Sequence, residues 1–436
     1  MKKDESPTVA IADLKIGMFV DLAVGWMAHP FPSGSFKISS QKQIEIIQGL
    51  GLERVRYVPE KSDAPNLGAQ APAADLAMSA TELPAGPLTE RARLASQEQQ
   101  LRAQRDRLLS AQDRNLLACE RRFGEAARQY RKTLELVEAQ PQLVGGQCLA
   151  MVGGFVDEMM AEGDLAIRLL TEAAGDKSSM HSVNVTVVAL LLGHAMGLRR
   201  TDLLDLGVAA FLHDIGKIKL PDRVRWFEDS FTSTEFKLYQ DHVGQSVYLC
   251  KTMELSNGCL LAMAQHHEMV DGSGFPARAK GESITASARI LSLVNRYDNL
   301  CNPSRPGTAL TPHEALSLMF AQHKARFDAS TLSAFIHMMG VYPPGSVVQL
   351  VDERFASVVS VNSSRPLKPK VIVYEPGVSR REALILDLEQ APNISIRRSL
   401  KPANLPLAAM DCLAPRQRIC YFFERSVDPQ MHEAVS

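Results

Sequence analysis

Five histidines punctuate the middle of this chain at near-regular intervals. His181, His213, His242 and the pair His266–His267 follow one another at steps of 32, 29 and 24 residues, each in or beside an apolar run of helical period. Such a step holds one helix and its connection, so an antiparallel bundle can bring mid-helix side chains of successive helices to one level. The run Val185–Leu198 fits this picture. It is broken by Gly193 and His194 and falls short of the roughly 20 residues of a membrane span, so it reads as a buried core helix and argues against membrane insertion. One histidine on an apolar helix is ordinarily a satisfied core residue. The recurrence is what points to chemistry.

The donor chemistry narrows the reading. Asp214 follows His213 directly, and the seven cysteines are scattered with no CxxC pair. Imidazole and carboxylate without thiolate suit Fe, Mn or Zn rather than a structural zinc knot. Five histidines and one aspartate exceed what one ion needs. Two divalent transition-metal ions bridged by a hydroxide would use them all, an arrangement that suits phosphoester hydrolysis. Lys217, one turn after Asp214, is placed to neutralise a phosphate oxygen. Gly272, Gly274 and Pro276 make a tight loop just after the paired histidines, at the expected mouth of the site.

The 48 Lys and Arg against 49 Asp and Glu leave a net charge of −1, without the basic footprint of a DNA-binding protein. The start, MKKDESPTVA, lacks the apolar region of a secretory signal. With an odd number of unpaired cysteines, this predicts a cytoplasmic protein.

Five segments are expected along the 436 residues. Residues 1–60 read as a small α/β module, with a turn at Lys15-Ile16-Gly17-Met18, a strand at GSFKISS, a helix over Ser40–Leu50 and a strand at ERVRYV. Residues 61–88, rich in Ala, Pro, Ser and Gly, read as a flexible linker. Residues 89–139 read as a long amphipathic helix in which Leu94, Leu101 and Leu108 recur every seven residues, the mark of a dimeric coiled coil or of a helix packed on its own domain. Residues 140–340 read as almost entirely helical. Residues 341–436 read as a β-rich extension with strands at SVVQLV, ASVVSV and PKVIVYEPG.

The pattern from His181 through HDIGK, His242 and HHEMVDGSGFP to Asp298 resembles the HD-GYP domain, a bacterial subgroup of the HD phosphohydrolases. HHEMVDGSGFP is its most specific piece. The similarity covers roughly 150–340. LKIGMFV and the pieces around Trp26 and Phe31 resemble the small domain often found ahead of HD-GYP domains, and the segment from Tyr342 resembles the family's β extension. The resemblance implies a mainly α-helical HD-type bundle between a small α/β module with a long helix and a β-rich extension. It implies a cytoplasmic bacterial phosphodiesterase acting on cyclic di-GMP, with iron or manganese, giving pGpG and then GMP. Carried over by position, the metal ligands are His181, His213, Asp214, His242, His266 and His267, with Lys217 on phosphate. Asp271, Gly272, Gly274, Phe275 and Pro276 then shape the pocket or meet protein partners.

The chain also departs from the family pattern. Asn295 stands where the last ligand, an aspartate, is expected, and an amide is a weaker donor to a hard cation. Asp298 matches the family's second aspartate. Phe227 stands where a lysine is common, and the arginine-proline-tyrosine motif is reduced to Arg305-Pro306-Gly307. Phe275 replaces the GYP tyrosine. Lys177 stands where members with a third metal carry glutamate, which argues for two metals at most. Besides an active phosphodiesterase, two other readings follow. One is a degenerate domain that binds the nucleotide or a protein without turnover. The other is an HD hydrolase of another phosphoester.

Overall fold

Short alternating runs in the first sixty residues form strands, of which those at Phe19–Asp21 and Arg54–Tyr57 each bury a central valine between more exposed neighbours. The structure, a computed structural model, describes residues 7–22, 35–48, 52, 54–62, 87–170, 176–227, 230–362, 365–391, 393–413, 415 and 418–425. Trp26, Phe31 and most of the expected linker lie outside the described residues. In the N-terminal unit, β1 (Thr8–Ala10), β2 (Phe19–Asp21), β3 (Ser35–Lys37), α1 (Gln41–Gln48) and β4 (Arg54–Tyr57) form an antiparallel sheet of order β1-β4-β2-β3 with one helix. The Lys15–Met18 turn closes with the Met18 N–H donating to the Lys15 carbonyl, and Gly17 sits at φ +96°, where a side chain would be strained. Val20 and Val55 from the sheet meet Ile44 and Ile47, one turn apart on α1, in a core of their own.

The second compact unit is Arg102–Glu389 with Ile394–Ser436. The 50-residue α2 (Pro87–Leu136) enters it and changes character along its length. Leu101 and Leu108, on the seven-residue repeat, are about half exposed, whereas Phe123, Ala127 and Tyr130 are buried. Phe123 meets Phe422 edge-on and Tyr130 meets Phe211, so the second half of α2 packs on its own unit.

The bundle continues through α3 (Pro141–Met160), then a strand, β5 (Leu165–Leu169), and α4 (Lys177–Ala195) and α5 (Arg200–Leu212). It is completed by α6 (Ser233–Thr252), α7 (Asn257–Ala264), α8 (Ala286–Cys301), α9 (Pro312–Gln322) and α10 (Ala329–Met339). α4 is buried all round from Ser179 to Gly193, as befits the central helix. No helix among the described residues is long and apolar enough to cross a membrane. Side-chain caps fix the starts of the helices that carry the site. Asp176 accepts from Ser178 and Ser179 before α4, and Thr232 and Glu235 form a capping box at α6.

The C-terminal strands are β6 (Val347–Leu350), β7 (Phe355–Asn362), β8 (Lys370–Val373), β9 (Ile385–Asp387) and β10 (Ile396–Leu400), followed by α11 (Leu407–Leu413) and β11 (Tyr421–Arg425). β5 corrects the reading of 140–340 as almost wholly helical. It lies inside the second sheet, of order β10-β6-β7-β5-β11, with β8 on β7 and β9 on β8. All five β5 residues are buried, including Arg168, whose guanidinium faces Glu424 on β11. A short, wholly buried strand has no alternation to betray it. Because β5 ties the sheet to the bundle, the expected boundaries at 140 and 340 do not separate compact units.

Candidate metal centre and cleft

His181 lies in the second turn of α4, His213 caps the C-terminus of α5, and Asp214 follows in a non-helical turn. His242 lies midway along α6, and His266 and His267 follow the end of α7. The close approach of these pieces depends on Gly216. A Cβ there would stand 2.3 Å from the His242 carbonyl oxygen and 2.4 Å from the Ser246 nitrogen. Ser246 locks the contact, since its hydroxyl donates to the His213 carbonyl and accepts from the Gly216 N–H.

The histidines and Asp214 converge in two groups that share the carboxylate: His181, His213 and Asp214, and Asp214, His242, His266 and His267. Asp214 Oδ2 faces His181 Nε2 at 3.6 Å and His213 Nε2 at 3.4 Å. Asp214 Oδ1 faces His242 Nε2 at 3.5 Å and His266 Nε2 at 3.9 Å. The tautomers follow from the other ring nitrogens. Nδ1–H donates to the carbonyl three residues earlier at His213 (Ala210), His242 (Tyr239) and His266 (Met263). His181 Nδ1 donates to Asp298 Oδ2 at 2.6 Å. Each Nε2 therefore presents a lone pair inward, and the pairs His181–His213 and His242–His266 face each other at 3.2 and 3.4 Å. Two acceptors at that distance repel unless a cation lies between them. The spacing suits two nitrogens that are each ~2.1 Å from one ion.

Other features point the same way. Asp214 Oδ1 and His267 Nε2 are buried with no hydrogen-bond partner among the described residues. Burial drives the His242 pKa down to about 4 and holds His266 and His267 well below the usual imidazole range, so these rings stay neutral and able to ligate. Burial would raise the Asp214 carboxyl, but the Lys217 ammonium and His213 outweigh it and hold the group ionised. The donor set and its orienting hydrogen bonds thus fit a divalent metal ion.

Several residues carry roles that spacing along the chain did not reveal. Asp298 stands behind His181, and its second oxygen accepts from Asn184 and Asn302 at 2.9 Å each. Both amides also hold the C-terminal segment, through the Ile419 carbonyl, the Ile419 N–H and the Tyr421 N–H. Besides Asp298, matched to the family's second aspartate, Asn184 was a signal for this network, as a polar residue three positions after His181 inside an apolar run.

Lys217, expected on phosphate, spends its ammonium on Asp214 Oδ2 at 2.6 Å. Burial opposes its charge, yet Asp214 keeps Lys217 above the ordinary lysine range. Asn295 is buried on α8, and its Oδ1 accepts from Asn299 at 2.7 Å.

The centre opens into a cleft of about 790 Å³, lined among others by Lys217, Trp226, Phe227, Phe275, Asn295 and Arg305. The glycine-rich loop forms part of the wall. Phe275 stacks on His267 with ring centroids 4.4 Å apart. Gly274 is pressed so close to the backbone of 267–269 that a Cβ would stand 2.4 Å from the His267 carbonyl oxygen, and Gly272 takes φ +81°. Asp271 accepts from the Ser273 N–H, and the buried Glu268 carboxylate accepts from the N–H groups of Ala277 and Ala279. Pro276 closes the loop. Phe227 is 42% exposed in the cleft, and its carbonyl accepts from Ser304 beside Arg305.

Comparison with known proteins agrees with this geometry. Residues 166–331 match the HD domain family, and residues 7–147 match a domain of unknown function (DUF3391). The chain is 26% identical over 375 residues to cyclic di-GMP phosphodiesterase PA4108 of Pseudomonas aeruginosa, covering 84% of each chain. It is 24% identical to cyclic di-GMP phosphodiesterase PdeB of Borreliella burgdorferi over 44% of this chain and 51% of that one. It is 32% identical to the cyclic di-GMP phosphodiesterase response regulator RpfG of Xanthomonas campestris over 34% of this chain and 40% of that one. The chain thus spans about half of the second relative and less of the third. With five histidines gathered around one aspartate and HHEMVDGSGFP beside them, residues 166–331 match an HD domain, in a chain similar over most of its length to a cyclic di-GMP phosphodiesterase.

Proposed function

We propose that the chain is a divalent-metal-dependent phosphodiesterase that hydrolyses the 3′,5′-phosphodiester of cyclic di-GMP to pGpG, GMP or both. The observation that carries this reading is the sharing of Asp214 by two histidine groups at the base of a cleft of about 790 Å³, within the roughly 300–1,000 Å³ of small-molecule sites. The names of the relatives support the choice of nucleotide. His181, His213 and Asp214 would hold one ion, and Asp214, His242, His266 and His267 a second, with Asn295 a neutral donor nearby. Iron or manganese suits this set, and zinc is accepted by the same donors. Bound there, divalent ions supply an acidified water and charge stabilisation on the phosphoryl oxygens.

The chain's own residues orient and enclose. Asp298 fixes the His181 ring, Lys217 keeps Asp214 ionised, and Phe275 holds His267 from the cleft side. Arg305, which lines the cleft with Phe227, would contact the nucleotide. The reading places the protein in the bacterial cytoplasm. The exposed Leu101 and Leu108 support a homodimer through the 89–139 helix, and the Gly274-Phe275-Pro276 loop is the proposed surface for protein partners.

The second reading, nucleotide binding without turnover, is favoured by one observation: the only side-chain oxygen of Asn295 is already taken by Asn299. Incubation of manganese- or iron-loaded protein with cyclic di-GMP separates the two. Linear pGpG or GMP should appear and should cease on chelation, and Asn295→Asp should raise turnover severalfold at limiting metal. Stable nucleotide binding with no product from either protein would establish the second reading.

A further inference from the structure

The cleft holds two ammonium groups on one indole. Lys177 Nζ lies 4.1 Å and Lys217 Nζ 5.2 Å from the centre of the Trp226 ring. The two lysines differ in their partners. Lys217 is neutralised by Asp214. Among the described residues no carboxylate forms an ion pair with Lys177. The acidic groups that reach it through space, Asp298 and Asp214, are committed to His181 and Lys217. Burial, Lys217 and Arg418 together lower the Lys177 ammonium to about 8. Lys177 is thus a half-buried cation on the cleft wall, one turn before His181 on α4, crowded by like charge and held in place by an aromatic face. An anion entering the cleft would supply the missing counter-charge.

We propose that Lys177, seated on Trp226, is a phosphate-binding residue of the cleft, contacting the phosphoryl group held at the histidine–aspartate centre and supplying the net positive charge that Lys217 cannot. This inference rests on the reading of the cleft as a phosphoester site, but not on which phosphoester it takes. Charge-assisted hydrogen bonds contribute about 1.5–3 kcal/mol, which sets the expected loss at about 10- to 100-fold.

The test uses full-length, manganese-loaded protein with inorganic phosphate as the probe in calorimetry and bis(4-nitrophenyl) phosphate as a base-free substrate. Lys177→Met keeps the length and packing of the side chain. It should weaken phosphate binding and lower kcat/KM for the base-free diester by about 10- to 100-fold at unchanged metal content. Lys177→Arg should recover most of both. Phosphate affinity within twofold of wild type in Lys177→Met, or no phosphate binding by the wild-type protein, would overturn the proposal. Failure of cyclic di-GMP turnover alone, with both phosphate results as expected, would fall on the choice of nucleotide and leave Lys177 in its role.

Discussion

Asp214→Asn is expected to lower turnover at least about a thousandfold and to strip most of the bound metal, because one substitution removes the charge that both histidine groups share. The two Asp214 oxygens face different imidazole pairs, so the substitution acts on both groups at once. The variant also leaves Lys217 buried without its partner, and breaking a buried pair costs about 3–5 kcal/mol. Loss of folding must therefore be distinguished from loss of chemistry. The double variant Asp214→Asn/Lys217→Met removes the orphaned charge and should recover thermal stability while remaining inactive and metal-poor. Turnover near the wild-type rate in either folded variant would rule out a centre built on Asp214.

The second large effect concerns Asp298, which touches no other part of the cluster than His181. As a positioning residue it accepts from three donors: His181 Nδ1–H and the amides of Asn184 and Asn302. Asp298→Asn would offer one acceptor oxygen to three donors and turn an amide N–H₂ toward at least one of them. Loss of such an orienting group typically costs 10- to 100-fold, so about that drop in metal affinity is expected. Activity should return largely as manganese is raised, which a generally misfolded variant would not show. Unchanged metal affinity with lowered kcat at saturating metal would instead place Asp298 in direct contact with the reacting groups.

The cluster was legible in the sequence because each histidine is tied to its own helix or helix end, and helix-length steps are visible without knowing the packing. The apolar all-round run of α4 identified the central helix for the same reason. What orients the cluster was not legible. Asp298 and Asn302 are one turn apart, but Asn184 reaches Asp298 across 114 residues, and both amides close on Ile419 near the far end of the chain, across 235 and 117 residues. β5 escaped because a five-residue buried strand and a helix fragment carry the same apolar pattern. Lys217 was read as a phosphate contact, since sequence shows that Asp214 lies one turn away but not that the pair is buried together. The departures at Phe227 and Asn295 were visible as letters. Their surroundings were not: an exposed ring against Phe231, Phe236 and Tyr239, and an amide engaged by Asn299.

The central claim is that two ions held around Asp214 make this domain an enzyme. Metal content of anaerobically purified protein, measured by mass spectrometry with cyclic di-GMP turnover assayed on the same sample, tests it most directly. The account predicts close to two divalent ions per chain, pGpG or GMP as product, and activity that falls in step with metal on chelation. Full turnover by chelated, metal-free protein, or two bound ions with no phosphodiester cleaved, would contradict it.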